Sequence, residues 1–239
     1  MVDFDQLWDS TWGDMQKYGP VHRHHRRILF ELLDILPIKE FGSVVEFGCG
    51  EASNLAFLQK RFPAAEFFGY DISTTALEKA HVRFPQAQFK QLDLEKSAPE
   101  RTFDFSLCSD VIEHLTDDVS AMEHIFKATR KAAVFSTVQG KMRPFEKDIG
   151  HQRNYKRGEL QEKLQAAGFE IVKTVEWGFP FYSPIYRNLF YTTAVQKASS
   201  GKFNGLQKLM CRLLFGLFML NSSRHGDAIF VLAKPRDGA

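Results

Sequence analysis

Cysteine, net charge and long apolar runs are all scarce in this sequence. Its three cysteines (Cys49, Cys108 and Cys211) stand far apart in 239 residues. They offer neither a disulfide framework nor metal-ligand spacing, which points to a reducing compartment. A formal net charge of +2 is too close to zero to argue by itself for nucleic acid or membrane. No stretch approaches the roughly 20 apolar residues of a spanning helix. The first residues are acidic and aromatic rather than basic and then apolar, so no secretory signal is expected. Repeats, low-complexity tracts and linkers are missing as well. These absences leave one domain over 1–239, cytoplasmic, with or without peripheral contact at the inner face of the membrane. Phenylalanine, by contrast, is abundant, with 23 residues.

From 43 to 138 the chain alternates between strand and helix. The spacing predicts strands at 43–47, 65–71, 86–93, 103–110 and 132–138, with helices at 51–61, after Ser73 and from Asp117. The last of these places Val119, Met122, Ile125 and Phe126 on one face. Such alternation implies a parallel sheet covered by helices on both faces, an α/β doubly wound fold. Ahead of this core (41–138) lies an arm and helix, 1–40. The arm carries Trp8, Trp12 and Tyr18, and Pro20 opens a helix to 36. A loop, a helix at 158–167 and a sixth strand at 169–177 follow the core. An insertion at 178–226 precedes the last strand, 227–234.

The stretch 44–54 reads V-V-E-F-G-C-G-E-A-S-N. It is a buried strand entering a turn tight enough to want both Gly48 and Gly50, with a helix start offering backbone N–H groups beside it. Acids recur at matching places: Glu46 in strand one, then Asp71, Asp93 and Asp110 at the next strand ends. Any one of them could cap a helix. Four in series suit an elongated polar ligand laid across the strand tips, and Asp71 falls where a carboxylate grips a ribose. A dinucleotide needs a third glycine, and here Ser53 stands in its place. Glu46 would also repel a pyrophosphate, whereas it suits an ammonium or sulfonium group.

These residues resemble the class I S-adenosylmethionine-dependent methyltransferases, over about 40–138 and again over 149–177. The acidic-x-G-x-G-x-G motif is matched by Glu46, Gly48, Cys49 and Gly50, with Ala52 replacing the last glycine. The resemblance implies S-adenosylmethionine as cofactor, S-adenosylhomocysteine as product and no metal. It also implies a mostly parallel seven-stranded sheet in the order 3-2-1-4-5-7-6, the last strand antiparallel. Asp71 is expected on the ribose hydroxyls, Ile72 beside the adenine, and Asp93 with Leu94 at the adenine edge. Ser109, Asp110 and Val111 are expected to line the donor site, in a segment that runs on through Glu113 and His114. Gly150–Tyr155 and 159–169 resemble a small-molecule subgroup.

For chemistry, the candidate bases are His151 and His114. Glu113, Arg153, Tyr155, Phe179 and Tyr182 are expected on the substrate side. Tyr18, His22 or Arg23 could meet the donor's carboxylate. The basic run 22–27 otherwise reads as a solvated face, and its H-x-H-H lacks a carboxylate partner for a metal. At 206–220 a stripe of Leu206, Leu209, Met210, Leu213, Leu214 and Leu217 becomes apolar all round. It would serve as a lid on the core, a homodimer contact, or a dock on a membrane with Lys202, Lys208 and Arg212 toward headgroups. The resulting expectation is methyl transfer to a small, apolar or aromatic acceptor, O-methylation favoured. The alternatives are a membrane-surface methyltransferase of a quinone precursor or lipid-linked acceptor, a non-catalytic donor-binding module, and a nucleic-acid methyltransferase. The last lacks its N/D-P-P signature and sufficient basic charge, so no nucleic acid is expected.

Overall fold

The computed structural model describes residues 14–189 and 201–236. Trp8 and Trp12 of the arm, and part of the insertion, lie outside the described residues. A short helix α1 (Asp14–Tyr18) leads into α2 (Pro20–Leu33), which starts on a proline and buries Ile28, Leu29, Leu32 and Leu33. It stops three residues short of the predicted end, and Ile35 is exposed.

Strands β1 (Ser43–Phe47), β2 (Glu66–Asp71), β3 (Gln88–Gln91), β4 (Phe103–Ser109) and β5 (Thr129–Val138) are parallel. β6 (Phe169–Trp177) and β7 (Ala228–Pro235) complete a seven-stranded sheet ordered β3-β2-β1-β4-β5-β7-β6. β7 runs antiparallel to both its neighbours, as expected. Every residue of β1 is buried, the mark of a central parallel strand covered on both faces.

Alternation along the strands divides the core in two. Val44, Phe105, Leu107, Val134 and Phe230 face α2, α3 (Ser53–Leu58) and α4 (Thr74–Arg83). Val45, Phe47, Cys108, Phe135 and Val231 face α5 (Asp118–Ala128) and α7 (Glu159–Ala166), with α6 (Pro144–Asp148) between β5 and α7 in the chain. The phenylalanines explain themselves here. Phe103, Phe105, Phe135 and Phe169 are fully buried, each contributing about 1.5–3 kcal/mol of transfer free energy. Ser73 and Asp117 cap α4 and α5, accepting from Ala76 N at 3.0 Å and Ser120 N at 3.0 Å. Val119 is 41% exposed, so the apolar face of α5 is narrower than its spacing predicts.

The insertion contains a kinked, irregular turn at Phe181–Tyr186, extended at Ser183, a single turn α8 (Arg187–Leu189) and the helix α9 (Gly205–Phe218). Within 178–186, Tyr182 and Ser183 are buried while Phe179 and Ile185 are about half exposed. Tyr182, 7% exposed, stacks on Trp177 with ring centroids 5.0 Å apart. α9 packs on α2, with Phe215 stacked against His24 at 4.3 Å and Phe218 buried. Its opposite face is another matter, for Leu206, Leu209, Met210 and Leu213 are more than half exposed. Most of the leucine stripe is therefore an outer face, and the contact with the core is made by Cys211, Leu214, Phe215 and Phe218. No helix among the described residues is long and apolar enough to cross a membrane.

Candidate functional site

The parallel register brings the carboxyl ends of β1, β2 and β4 side by side, with Phe47 opposite Tyr70 and Cys108. Beyond them the chain turns sharply. The N–H groups of Gly48 and Cys49 both donate to the Tyr70 carbonyl, at 2.7 and 3.0 Å. Gly48 has a φ of +67°, and a β-carbon there would lie 2.2 Å from Val111 Cγ2. Only glycine satisfies both the conformation and the close approach. Gly69, in the middle of β2, is required for a second reason: a β-carbon would meet the Phe89 ring at 2.6 Å and Cys49 Sγ at 2.7 Å. A lone glycine inside an aromatic strand signals such an approach.

Three acids sit around this turn in different states. Asp71 accepts from Gly50 N at 2.8 Å and from Ser73 N at 2.9 Å. Its carboxylate is thus aimed by the turn it serves. Glu46 is 1% exposed; one oxygen accepts from Asn54 Nδ2 at 2.7 Å, while Oε2 has no hydrogen-bond partner. Burial, with Asp71 and Asp110 adding like charge, pushes its pKa up to about 8. Asp110 adopts a φ of +56°, unusual for a non-glycine residue, and its side chain is 41% exposed. Partial burial pulls its pKa upward, yet His25, with Nδ1 3.6 Å away, outweighs that and holds it below the usual range. His25 escaped the sequence reading because nothing distinguishes it within a run of three histidines.

That run splits by function. His24 is fully buried, stacked between Trp177 and Phe215, and held neutral with a pKa lowered to about 4, chiefly by burial. Arg23 lies over the Phe215 ring at 3.9 Å, and Tyr18 lies under Lys208 at 4.7 Å. Both belong to the contact with α9. Burial lowers His22 to about 4 as well, so it brings no positive charge at neutral pH.

Of the expected adenine contacts, Ile72 is 50% exposed beside the β2 tip. Asp93 is engaged with Lys96 at 2.6 Å and with Glu95 N at 3.1 Å. The Leu94 side chain is buried in the core, and its carbonyl meets His124 Nδ1 at 2.8 Å. Ser109 links β4 to β5, accepting from Ser136 Oγ at 2.7 Å and donating to Asp110 at 3.3 Å.

On the acceptor side three of the expected residues are engaged within the fold. Tyr155 is fully buried, its hydroxyl donating to Asp118 at 2.7 Å. Arg153 pairs with the same Asp118 at 2.7 Å and donates to the Thr116 carbonyl. Both hold the loop after β5 onto α5. Tyr182 is likewise spent on Trp177, which leaves Phe179, 54% exposed, as the accessible ring. Phe179 lines a cavity of about 140 Å³ with Arg157, Ser183 and His225, on the β7 side and away from the glycine turn. Tyr155→Phe is expected to cost about 1–2 kcal/mol in urea unfolding and to leave donor binding unchanged in calorimetry.

His114 and His151 do come together. Their ring centroids lie 4.6 Å apart, edge to face. Burial lowers both pKa values, that of His114 to about 4. Glu113, 1% exposed, lies against them, its carboxyl pushed up to about 8 by burial and by Asp110.

A sheet in this order, with a glycine turn after β1 and a carboxylate ending β2, defines the class I S-adenosylmethionine-dependent methyltransferases. The chain belongs to the methyltransferase domain family, whose profile matches residues 21–174. It is 29% identical over 126 residues to a trans-aconitate 2-methyltransferase of Azoarcus sp. (strain BH72), covering 53% of this chain and 49% of that protein. A second trans-aconitate 2-methyltransferase, from Methylobacterium radiotolerans, is 32% identical over 96 residues, 40% of this chain and 37% of that one. The chain spans about half the length of the curated relatives it matches. Among solved structures, the magnesium protoporphyrin IX methyltransferase of Synechocystis PCC 6803 with bound S-adenosylhomocysteine gives a TM-score of 0.57. The two share 16% identity, over 99% of this chain and 89% of that one. An S-adenosylmethionine-dependent methyltransferase of Thermotoga maritima gives 0.62 at 17% identity, covering 98% of each chain. At these identities the likeness is one of fold.

Proposed function

We propose that this chain transfers a methyl group from S-adenosylmethionine to an oxygen of a small acceptor. The observation that carries the reading is Glu46 Oε2, a buried carboxylate oxygen without a partner beside the Gly48–Gly50 turn. An orphaned acidic group costs about 1–3 kcal/mol or more, and a cationic ligand end removes that cost. The donor's ammonium fits there, and its ribose diol fits Asp71 at the next strand end, with Ile72 and Val111 offering apolar surface to the adenine. Bound, the donor supplies a methyl carbon on a sulfonium, so the protein's task is alignment and exclusion of water. On the acceptor side stand Glu113, His114 and His151. A neutral imidazole there accepts a proton or holds an electrophile through its lone pair.

The buried aromatics of the insertion argue for an acceptor recognised by these polar groups rather than by a ring-lined pocket. Trans-aconitate, the acceptor in the names of the relatives above, is the first to assay with labelled donor. Calorimetry with S-adenosylmethionine and S-adenosylhomocysteine tests the core of the reading. Binding in the low-micromolar range or tighter is expected, weakened roughly 10- to 100-fold by Asp71→Ala through loss of charge-assisted hydrogen bonds. A folded wild-type protein that binds neither compound would overturn it.

A further inference from the structure

We propose that Glu113, His114 and His151 form a divalent-cation site that holds the acceptor through two of its oxygens. This deepens, and rests on, the reading of the chain as an oxygen methyltransferase. Each of the three residues offers one ligand atom, and these atoms lie within 4.8 Å of one another, a grouping found once among the described residues. Bonds of about 2.0–2.2 Å to a metal place neighbouring ligand atoms about 3.0–3.5 Å apart. Small side-chain rotations therefore close the trio onto an ion.

A second, independent feature points the same way. Glu113 is 1% exposed, and its Oε2 has no hydrogen-bond partner. A buried carboxylate oxygen against two imidazoles is costly unless a cation or a proton satisfies it. The surroundings favour the cation. Each imidazole is held by a hydrogen bond of the kind that orients metal ligands: His151 Nδ1 meets Asn154 Oδ1 at 3.3 Å, and His114 bonds the Gly150 backbone. Asn154 is fixed in turn by donating to Glu146 at 2.8 Å. The two segments that carry the ligands are joined through the main chain, Gln152 N donating to the Glu113 carbonyl at 2.8 Å. Asp110 lies near enough to act electrostatically on all three residues, and its negative charge adds to the attraction.

Two imidazoles and one carboxylate suit zinc, iron, cobalt or nickel better than calcium. Three protein ligands leave positions open, as catalytic metal sites do. Glu113 and His114 follow the β4 tip in the chain, and Asp110 between them and that tip acts electrostatically on all three residues. An acceptor presenting a carboxylate beside a second oxygen would complete the coordination sphere, and its nucleophilic oxygen would be fixed there.

Cobalt(II) is the probe. The metal-stripped full chain is titrated with cobalt(II) in a non-chelating buffer and followed by visible absorption and by calorimetry. One equivalent per chain with a d–d band is expected, displaced by zinc. The affinity is expected to fall tenfold or more in His151→Ala and in the isosteric Glu113→Gln, and to be unchanged in His81→Ala, whose histidine lies outside the trio. Thermal melts verify folding of each variant. Absence of stoichiometric binding, or binding undiminished in both folded variants, overturns the site. Donor calorimetry on the same samples separates the two claims: donor binding without cobalt binding sinks the cation site alone, and cobalt binding without donor binding sinks the methyltransferase reading.

Discussion

Arg187→Ala is expected to lower the free energy of unfolding by about 3–5 kcal/mol, enough to unfold a marginal domain. Arg187 is 1% exposed, and every face of its guanidinium is used. Nε donates to Glu146 Oε1 at 2.8 Å and Nη1 to Asp227 Oδ2 at 2.7 Å, while Nη2 also contacts Glu146. Glu146 is itself buried, so deleting the arginine strands a carboxylate in the interior. That penalty, rather than the worth of the pair, is what the substitution exposes. The double variant Arg187→Met with Glu146→Gln should therefore recover most of the loss. Urea denaturation measures both, and a single-variant loss below about 1 kcal/mol would show the pair to be far better solvated than its burial implies.

Glu46→Gln should remove a pH dependence. The folded-state pKa of about 8 stands above the ordinary value of 4.5. Between these two values the unfolded chain has released a proton that the folded chain still holds. The stability due to protonated Glu46 is thus complete below about pH 4.5 and is lost as pH rises through about 8, by up to about 1.4 kcal/mol per pH unit. Glutamine has no proton to lose, so its melting temperature should fall less steeply over that window. Donor binding carries the opposite sign: a cationic end favours ionised Glu46, so roughly one proton should leave with each donor bound at pH 7. Calorimetry in buffers of different ionisation enthalpy counts that proton. An equal count for wild type and Glu46→Gln would assign it elsewhere.

The alternation of strands and helices, the glycine turn and the placing of Glu46 and Asp71 could be read from the residues because each has a local signature, whereas the strand order followed only from the family resemblance. Strand alternation, a carboxylate at a strand end and paired glycines all fall within a few residues of one another. What could not be read depends on who meets whom across the fold. Arg187 sits in an aromatic stretch and reads as a surface charge until Glu146 and Asp227, 41 and 40 residues away, close around it. Tyr155 and Arg153 read as substrate contacts because the loop after β5 is polar; Asp118 takes both. The leucines of α9 follow a helical period faithfully, but a period identifies a face and not what covers it. His151 was singled out as a base, and its contact with His114 and Glu113 could not be foreseen from positions 37 and 38 residues apart.

One further consequence lies at the margins of the sheet. Its outer strands, β3 and β6, are the places where another chain could pair and propagate. β3 is only four residues long and carries Lys90 between Phe89 and Gln91, while β6 carries Glu170, Lys173 and Glu176 along its length and shifts register between Ile171 and Lys173. Short length, charge and a bulge are each poor templates for strand addition. The buried phenylalanines of the core, Phe103, Phe105 and Phe135 among them, lie behind edges that resist aggregation.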